Sequence, residues 1–204
     1  MTARVEHLVT SGTFSLDGQT FDVDNNVWII GDDEEVIVVD APHDADAIAE
    51  AVGDRTVVAI ACTHAHDDHV RFAPELGERL SAQVLLHPED RVLWDLTHAR
   101  HEPDGTLREG QVLEVAGTRL HVLHTPGHAP GHVALYSQNG FVISGDALFK
   151  NTVGRTDIPG ADHELLIRQI KSELYTLPHE TVVLPGHGSD TTIGAEIVSN
   201  PHTR

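Results

Sequence analysis

The sequence predicts an α/β protein made of two sheets, each covered on its outer face by helices. Three observations predict it. Continuous apolar runs such as Val57-Val58-Ala59-Ile60-Ala61-Cys62 have the length of strands buried on both faces. Strands followed by a helix occur twice along the chain, with no sequence repeat, an order that two covered sheets accommodate. Several apolar runs end in a short loop of His, Asp, Gly and Pro, placed where open α/β sheets keep their chemistry.

In chain order, Val23 to Ile30 and Glu35 to Val39 are apolar or alternating runs separated by Gly31-Asp32-Asp33, which reads as a hairpin turn within a strand meander. Ile37-Val38-Val39 reads as a central strand because it is apolar without alternation, and it ends in Asp40-Ala41-Pro42. A helix follows from Asp44 to Val52 with Ala45, Ile48 and Val52 on one face. After the run ending at Cys62, Val70 to Leu76 opens a short amphipathic segment, Gln83 to Leu86 is a buried strand, and Pro88 to Trp94 a short helix. His98 to Thr106, with Pro103 and Gly105, reads as surface loop, a lid being the alternative. Strands return at Gln111–Val115, Thr118–Leu123, His132–Tyr136 and Phe141–Ser144, the last two joined by the strong hairpin signal Asn139-Gly140. Asp162 to Leu174 is expected to be a helix with Leu165, Leu166, Ile170 and Leu174 as its buried stripe; Thr181–Leu184 is the last strand, with a capping helix after Thr191.

The 204 residues suffice for one domain with a sizeable core, and no linker-like stretch divides them, so residues 1–204 are expected to form a single domain. Hydrophobic residues make up 40% and aromatics only 4%, so the core must be built from Val, Leu, Ile and Ala, with Trp28 and Trp94 as packing residues. Thirteen Lys and Arg against 32 Asp and Glu, a formal charge of −19, argue against nucleic acid or an anionic membrane as partner. Cys62 is alone within its apolar run and reads as a small buried hydrophobe. Met1 to His7 contains no apolar leader, and no later stretch reaches the roughly 18 apolar residues of a membrane span, so a cytoplasmic location is expected. Oligomeric state has no signature in the sequence.

Thr63-His64-Ala65-His66-Asp67-Asp68-His69 lies where a strand gives way to a helix. In extended backbone His64 and His66 point the same way and can converge on one ion, while the turn into a helix re-aims Asp68 and His69 at a second point nearby. His124-Thr125-Pro126-Gly127-His128 closes another strand, and its Pro-Gly turn lets His128 point inward as a third nitrogen donor; His124 and His132 read as structural. Ser144-Gly145-Asp146 and Pro185-Gly186-His187-Gly188 each put one donor at a strand end beside small residues. Together the donors suffice for two metal sites with Asp146 bridging them.

These residues, with Asp40 after an apolar strand, resemble the metallo-β-lactamase-fold hydrolases over nearly the whole chain. The resemblance implies a four-layer αβ/βα sandwich with two divalent ions, zinc first and iron or manganese as alternatives. His64, His66, His128 and Asp146 would hold one ion and Asp68, His69, Asp146 and His187 the other, roughly 3.5 Å away. Zinc β-lactamases carry a Cys where Asp146 stands, which disfavours β-lactam hydrolysis, and nucleic-acid-processing members carry an inserted domain for which 204 residues leave no room. Gly145 to Phe149, Gly154-Arg155-Thr156-Asp157 and Pro185 to Gly188 look most like the short bacterial form of the glyoxalase II-like group. The implied activity is hydrolysis of a small thioester by a metal-bridging hydroxide that Asp68 orients, with Asp40 fixing a ligand histidine. The chain lacks the C-terminal helical domain of longer relatives, and of their thiol-carboxylate contacts only a cation survives, Arg155, with Lys150 the second candidate. The rival readings are a persulfide dioxygenase-like oxygenase, with one iron on His64, His128 and Asp146, and a metal-binding protein without turnover.

Overall fold

The computed structural model of the chain describes residues 3–16 and 18–204. Met1 and Thr2, where the reading of a leader-free N-terminus begins, lie outside the described residues. Two six-stranded mixed sheets face one another. Across the first run β1 (Arg4–Leu16), β2 (Gln19–Gly31), β3 (Glu35–Val39), β4 (Thr56–Ala61), β5 (Val84–Leu86) and β6 (Gly105–Thr106), antiparallel from β1 to β3 and parallel from β3 to β6. The second holds β7 (Val112–Val115), β8 (Thr118–His124), β9 (Val133–Ser137) and β10 (Phe141–Gly145). After the small hairpin of β11 (Leu148–Phe149) and β12 (Thr152–Val153), it is completed by β13 (Val182–Pro185), parallel to β10, and β14 (Thr191–Thr192). No helix among the described residues is long and apolar enough to cross a membrane.

Helices α1 (Ala45–Val52), α2 (Asp67–Val70), α3 (Ala73–Leu80) and α4 (Arg91–Thr97) follow strands of the first sheet; α5 (His163–Gln169) and α6 (Ile193–Ser199) belong to the second. The layering follows from strand alternation. In β3, Val36 and Val38 face Ile48, Leu76 and Trp94 on the helical side, while Ile37 and Val39 face Leu120, Leu135 and Ile143 of the opposite sheet. With both faces covered, every second residue has no reason to be polar, hence the unbroken apolar run. Ala134, Val142 and Val183 turn the other way, onto Leu166, Ile170 and Ile193. Cys62 is buried among the first set.

Several elements differ from the expected ones. β1 carries no compact apolar run, because as an edge strand it leaves Val5 and Val9 in solvent. Pro88–Asp90 forms a 3₁₀ turn before α4. The helix expected to Leu174 ends its regular part at Gln169 and continues as a wider π turn closed by Tyr175 N–H donating to the Ile170 carbonyl at 2.9 Å. Leu165 is half-buried, whereas Leu166, Ile170 and Leu174 are buried. Of the expected 98–106 loop, Gly105 and Thr106 form β6 against β5, and the part before it lies on the helical side, where His98 Nε2 donates to the Val70 carbonyl and Trp94 Nε1 to that of His101, so it is no lid.

The turn after β8 meets α5 without clearance. Gly127 has φ +133°, and a Cβ there would stand 2.4 Å from the Leu166 backbone, while its carbonyl accepts the Asp162 N–H at 2.7 Å. Gly127→Ala is therefore expected to cost about 1–3 kcal/mol by forcing α5 outward. The check is a lower denaturant midpoint at unchanged slope; an unaltered midpoint would show that the helix yields freely.

Candidate metal centre

The seven donor residues named from the sequence converge in the cleft at one end of both sheets. His64 and His66 leave β4, and Asp68 and His69 lie in the first turn of α2. His128 follows β8, Asp146 follows β10 and His187 follows β13. Their donor atoms form overlapping clusters, His64 with His66 and His128, His64 with His69 and Asp146, and Asp68 with His69 and His187. His66 Nδ1 stands 3.0 Å from His128 Nε2, and His69 Nε2 3.2 Å from His187 Nε2. Asp146 reaches both groups, with Oδ2 at 3.6 Å from His128 Nε2 and 3.4 Å from His187 Nε2, and Oδ1 at 3.4 Å from His69 Nε2. The three residues named for a mononuclear iron, His64, His128 and Asp146, lie within the same constellation.

The second ring nitrogen decides which way each lone pair points. His128 Nδ1 donates to the Arg155 carbonyl and His187 Nδ1 to that of Asp24, both at 2.8 Å. His69 Nδ1 donates to Asp40 Oδ2 at 2.9 Å. Thr63 Oγ1 donates to Asp40 Oδ2 at 2.8 Å and accepts from His64 Nδ1 at 3.1 Å. With Nδ1 occupied in these four rings, each Nε2 lone pair faces the cleft. His64 Nε2 and Asp146 Oδ1 are buried there with no protein partner. Facing lone pairs and orphaned buried acceptors are costly unless cations lie between them, so the donor set fits divalent metal ions.

The charges agree with that fit. Burial pushes His64, His66 and His128 down, His66 to about 3, which keeps them neutral donors. Burial would also lower His187, but the Asp146 and Asp68 carboxylates raise it to about 10. Asp68, which burial alone would raise, is brought down to about 2 by His69 and His187.

Small residues and buried polar residues fix the loops. A Cβ on Gly186 would stand 2.3 Å from Asp146 Oδ1 and 2.8 Å from His69 Cε1, which explains the glycine between Pro185 and His187. Asp40, at φ +64°, spends both oxygens on this centre, Oδ1 accepting the Thr63 N–H at 2.7 Å. His132 is structural, as expected: its Nδ1 donates to Thr125 Oγ1 and its Nε2 accepts the Asp146 N–H at 3.0 Å. His124 is structural too, donating to the Pro130 carbonyl and stacking on His87. In the His87, Glu89 and His124 cluster, His124 Nε2 is taken by the Pro130 carbonyl and His87 Nδ1 by the Glu89 N–H, unlike the partnerless His64 Nε2 and Asp146 Oδ1 of the main centre.

Sequence reasoning missed four contributors. Asp90, buried and pushed up by that burial to about 6, accepts N–H donors from Ala65 and Gly131 and ties two ligand loops together. Asn26 Nδ2 donates to the Pro185 and Gly188 carbonyls, and Trp28 Nε1 to Pro185. Asn25 is fully buried beside Asp68, His69 and His187. Two adjacent Asn residues leading into the apolar end of a strand were the available signal, since Asn is depleted in strands.

A cavity of about 600 Å³ opens onto the donors. Its walls include Phe14 and Phe21, cross-strand partners in the outer part of the β1–β2 hairpin, with Phe149, Val153 and Ile158 opposite. Arg155 and Lys150 also line it. The Arg155 guanidinium is bound by both Asp157 oxygens at 3.0 Å, a pairing the sequence reading did not foresee.

A family model described as "Metallo-beta-lactamase superfamily" matches residues 20–187. An uncharacterized protein of Aquifex aeolicus is 39% identical over 191 residues, 86% of this chain and 90% of that one. "Probable metallo-hydrolase YqgX" of Bacillus subtilis is 34% identical over 86% of this chain and 90% of its own length. "Hydroxyacylglutathione hydrolase GloC" of Haemophilus influenzae is 32% identical over 86% and 91%. Among solved structures, "BLEG-1 B3 metallo-beta-lactamase" has a TM-score of 0.81 at 32% identity, over 95% of this chain and 99% of that one. TTHA1623 "in a di-iron-bound form" has a TM-score of 0.78 at 35% identity, over 94% and 98%.

Because Asp146 faces both halves of the donor set, Asp146→Ala is expected to lower bound metal at two positions at once. Metal analysis of the purified variant is the check, and two equivalents per chain would contradict a shared carboxylate.

Proposed function

The chain belongs to the metallo-β-lactamase superfamily, and on that premise we propose that it is a metal-dependent hydrolase of a small thioester. Two divalent ions, zinc first and iron or manganese second, would be held by His64, His66, His128 and Asp146 and by Asp68, His69, Asp146 and His187. Once bound, such ions polarise a carbonyl oxygen and bring the pKa of water to about 7. Asp68 would orient the attacking water, and the Asp40 carboxylate accepts from His69 Nδ1, which would keep the other ring nitrogen aimed inward. Phe14, Phe21 and Phe149 give the cleft apolar walls.

One observation carries the thioester reading. Outside the metal donors, the charged groups on the cavity wall among the described residues are Lys150 and the Asp157-bound Arg155, with no further carboxylic acid or histidine among them to protonate a leaving group. A thiol of pKa about 8.5 departs as thiolate without such an acid, whereas an amine does not. The likeness to GloC supports the same class. The likeness to a protein described as a β-lactamase and to a di-iron structure makes a β-lactam and an oxygen-consuming reaction the alternatives to test.

S-lactoyl-type thioesters are expected to be cleaved without oxygen, releasing one thiol per turnover, with β-lactams turned over far more slowly. If anaerobic samples are inert and a persulfide drives oxygen uptake, the chain is an oxygenase; if a β-lactam is the better substrate, the leaving-group argument fails.

The cations at the mouth are proposed to meet a substrate carboxylate. Lys150→Ala and Arg155→Ala are each expected to raise KM for an anionic thioester about tenfold, roughly 1.4 kcal/mol, with little change in kcat and none for a neutral thioester. Arg155→Ala also strands Asp157, so the double variant Arg155→Ala/Asp157→Ala separates two roles. Full recovery of KM there would make Arg155 a neutraliser of Asp157 rather than a substrate contact.

A further inference from the structure

Asn25 has no role in the reading so far, yet it is fully buried against the second half of the centre. Asp68 Oδ2, His69 Nε2 and His187 Nε2 form a triangle with edges of 3.7, 3.2 and 3.4 Å. A point equidistant from its corners lies about 2 Å from each, the length of a metal–nitrogen or metal–oxygen bond. Asn25 Nδ2 donates to Asp68 Oδ2 at 3.2 Å and stands 3.2 and 3.4 Å from His69 Nε2 and His187 Nε2, hence on the axis through that point; presenting the oxygen to a cation requires the amide to turn over. Triangulation from these distances puts it about 2.6 Å from the point, so an amide oxygen would have to move inward by about 0.5 Å to reach a metal–oxygen bond length of about 2.0–2.2 Å. An N–H₂ group there would aim positive hydrogens at a cation, while an amide carbonyl would aim a lone pair.

The other end of the amide is held by His43 Nε2, 2.8 Å from Asn25 Oδ1. His43 can serve either orientation of the amide, since its neutral ring donates or accepts at Nε2 according to tautomer. The ring is fixed by β1: a Cβ on Gly12 would stand 2.3 Å from His43 Nδ1, so only glycine leaves room for it.

We propose that Asn25 presents its side-chain carbonyl to the cation held by Asp68, His69 and His187, as a further neutral ligand, with His43 accepting from the amide nitrogen. The assignment rests on the two-cation reading given above. It gives the second position five protein donors against four at the first, without adding charge.

Cobalt(II) titration of the metal-free protein tests this, read by visible absorption, which is stronger for four-coordinate than for five-coordinate cobalt. The wild-type chain is expected to take two equivalents. Asn25→Leu, of similar size but without the oxygen, should weaken the second equivalent about 10–100-fold, leave the first unchanged and raise absorption per cobalt at the second. Asn25→Asp, which keeps the oxygen, should hold the second equivalent at least as tightly as wild type. Wild-type binding and spectrum in Asn25→Leu overturn the assignment, as does equal loss of the second equivalent in Asn25→Asp; should Asn25→Leu fail to fold, Asn25→Asp decides alone. A wild-type chain that stops at one equivalent overturns the two-cation reading and this assignment together.

Discussion

Acceptor atoms crowded against one another in a dry cleft are the constraint on which the rest of this structure depends. His66 Nδ1 and His128 Nε2, and His69 Nε2 and His187 Nε2, face each other at 3.0 and 3.2 Å, with Asp68 and Asp146 between them. Such an arrangement opposes folding unless something positive relieves it. The surroundings accordingly fix four of the five histidines from behind. Asp40, Thr63 and the carbonyls of Asp24 and Arg155 take the other ring nitrogens, and Gly186 lets its loop come within contact of Asp146.

The two sheets exist in this relation because their strands alternate onto two different cores, and the cleft forms where both cores run out. Asp40 shows the price of placing a group there: a non-glycine residue at φ +64°, stabilised by three hydrogen bonds from Thr63 and His69. Backbone strain of this kind costs about 1–3 kcal/mol and survives only where neighbours over-determine it.

The seven residues that converge in the candidate metal centre were legible because they are dense, local and unlike their context. His64 to His69 states a strand-to-helix ligand loop within one heptad of sequence, and His128, Asp146 and His187 each end an apolar run beside glycine or proline. β3, β4 and the helix after Asp44 were legible for the same reason, since period and apolar content agree. What escaped notice acts across long sequence separations. Asp90 joins residues 65 and 131, Asn26 reaches residue 185, and Asn25 reaches residue 187. No local pattern marks such residues, because each looks like an ordinary surface polar group until the fold buries it. The pairing of Arg155 with Asp157 was missed for a different reason: a cation two residues from a carboxylate is read as free when only its sign is counted.

The donors also come from both sheets, His64 to His69 from the first and His128, Asp146 and His187 from the second. Cations seated there would act as rivets across the seam between the two halves of the chain. Metal supply would then set more than turnover. By mass action, occupancy at a hundredfold excess over Kd adds about 2.7 kcal/mol to the folded state, so starvation for metal would shorten the lifetime of the protein itself and couple its abundance to the cell's metal pool.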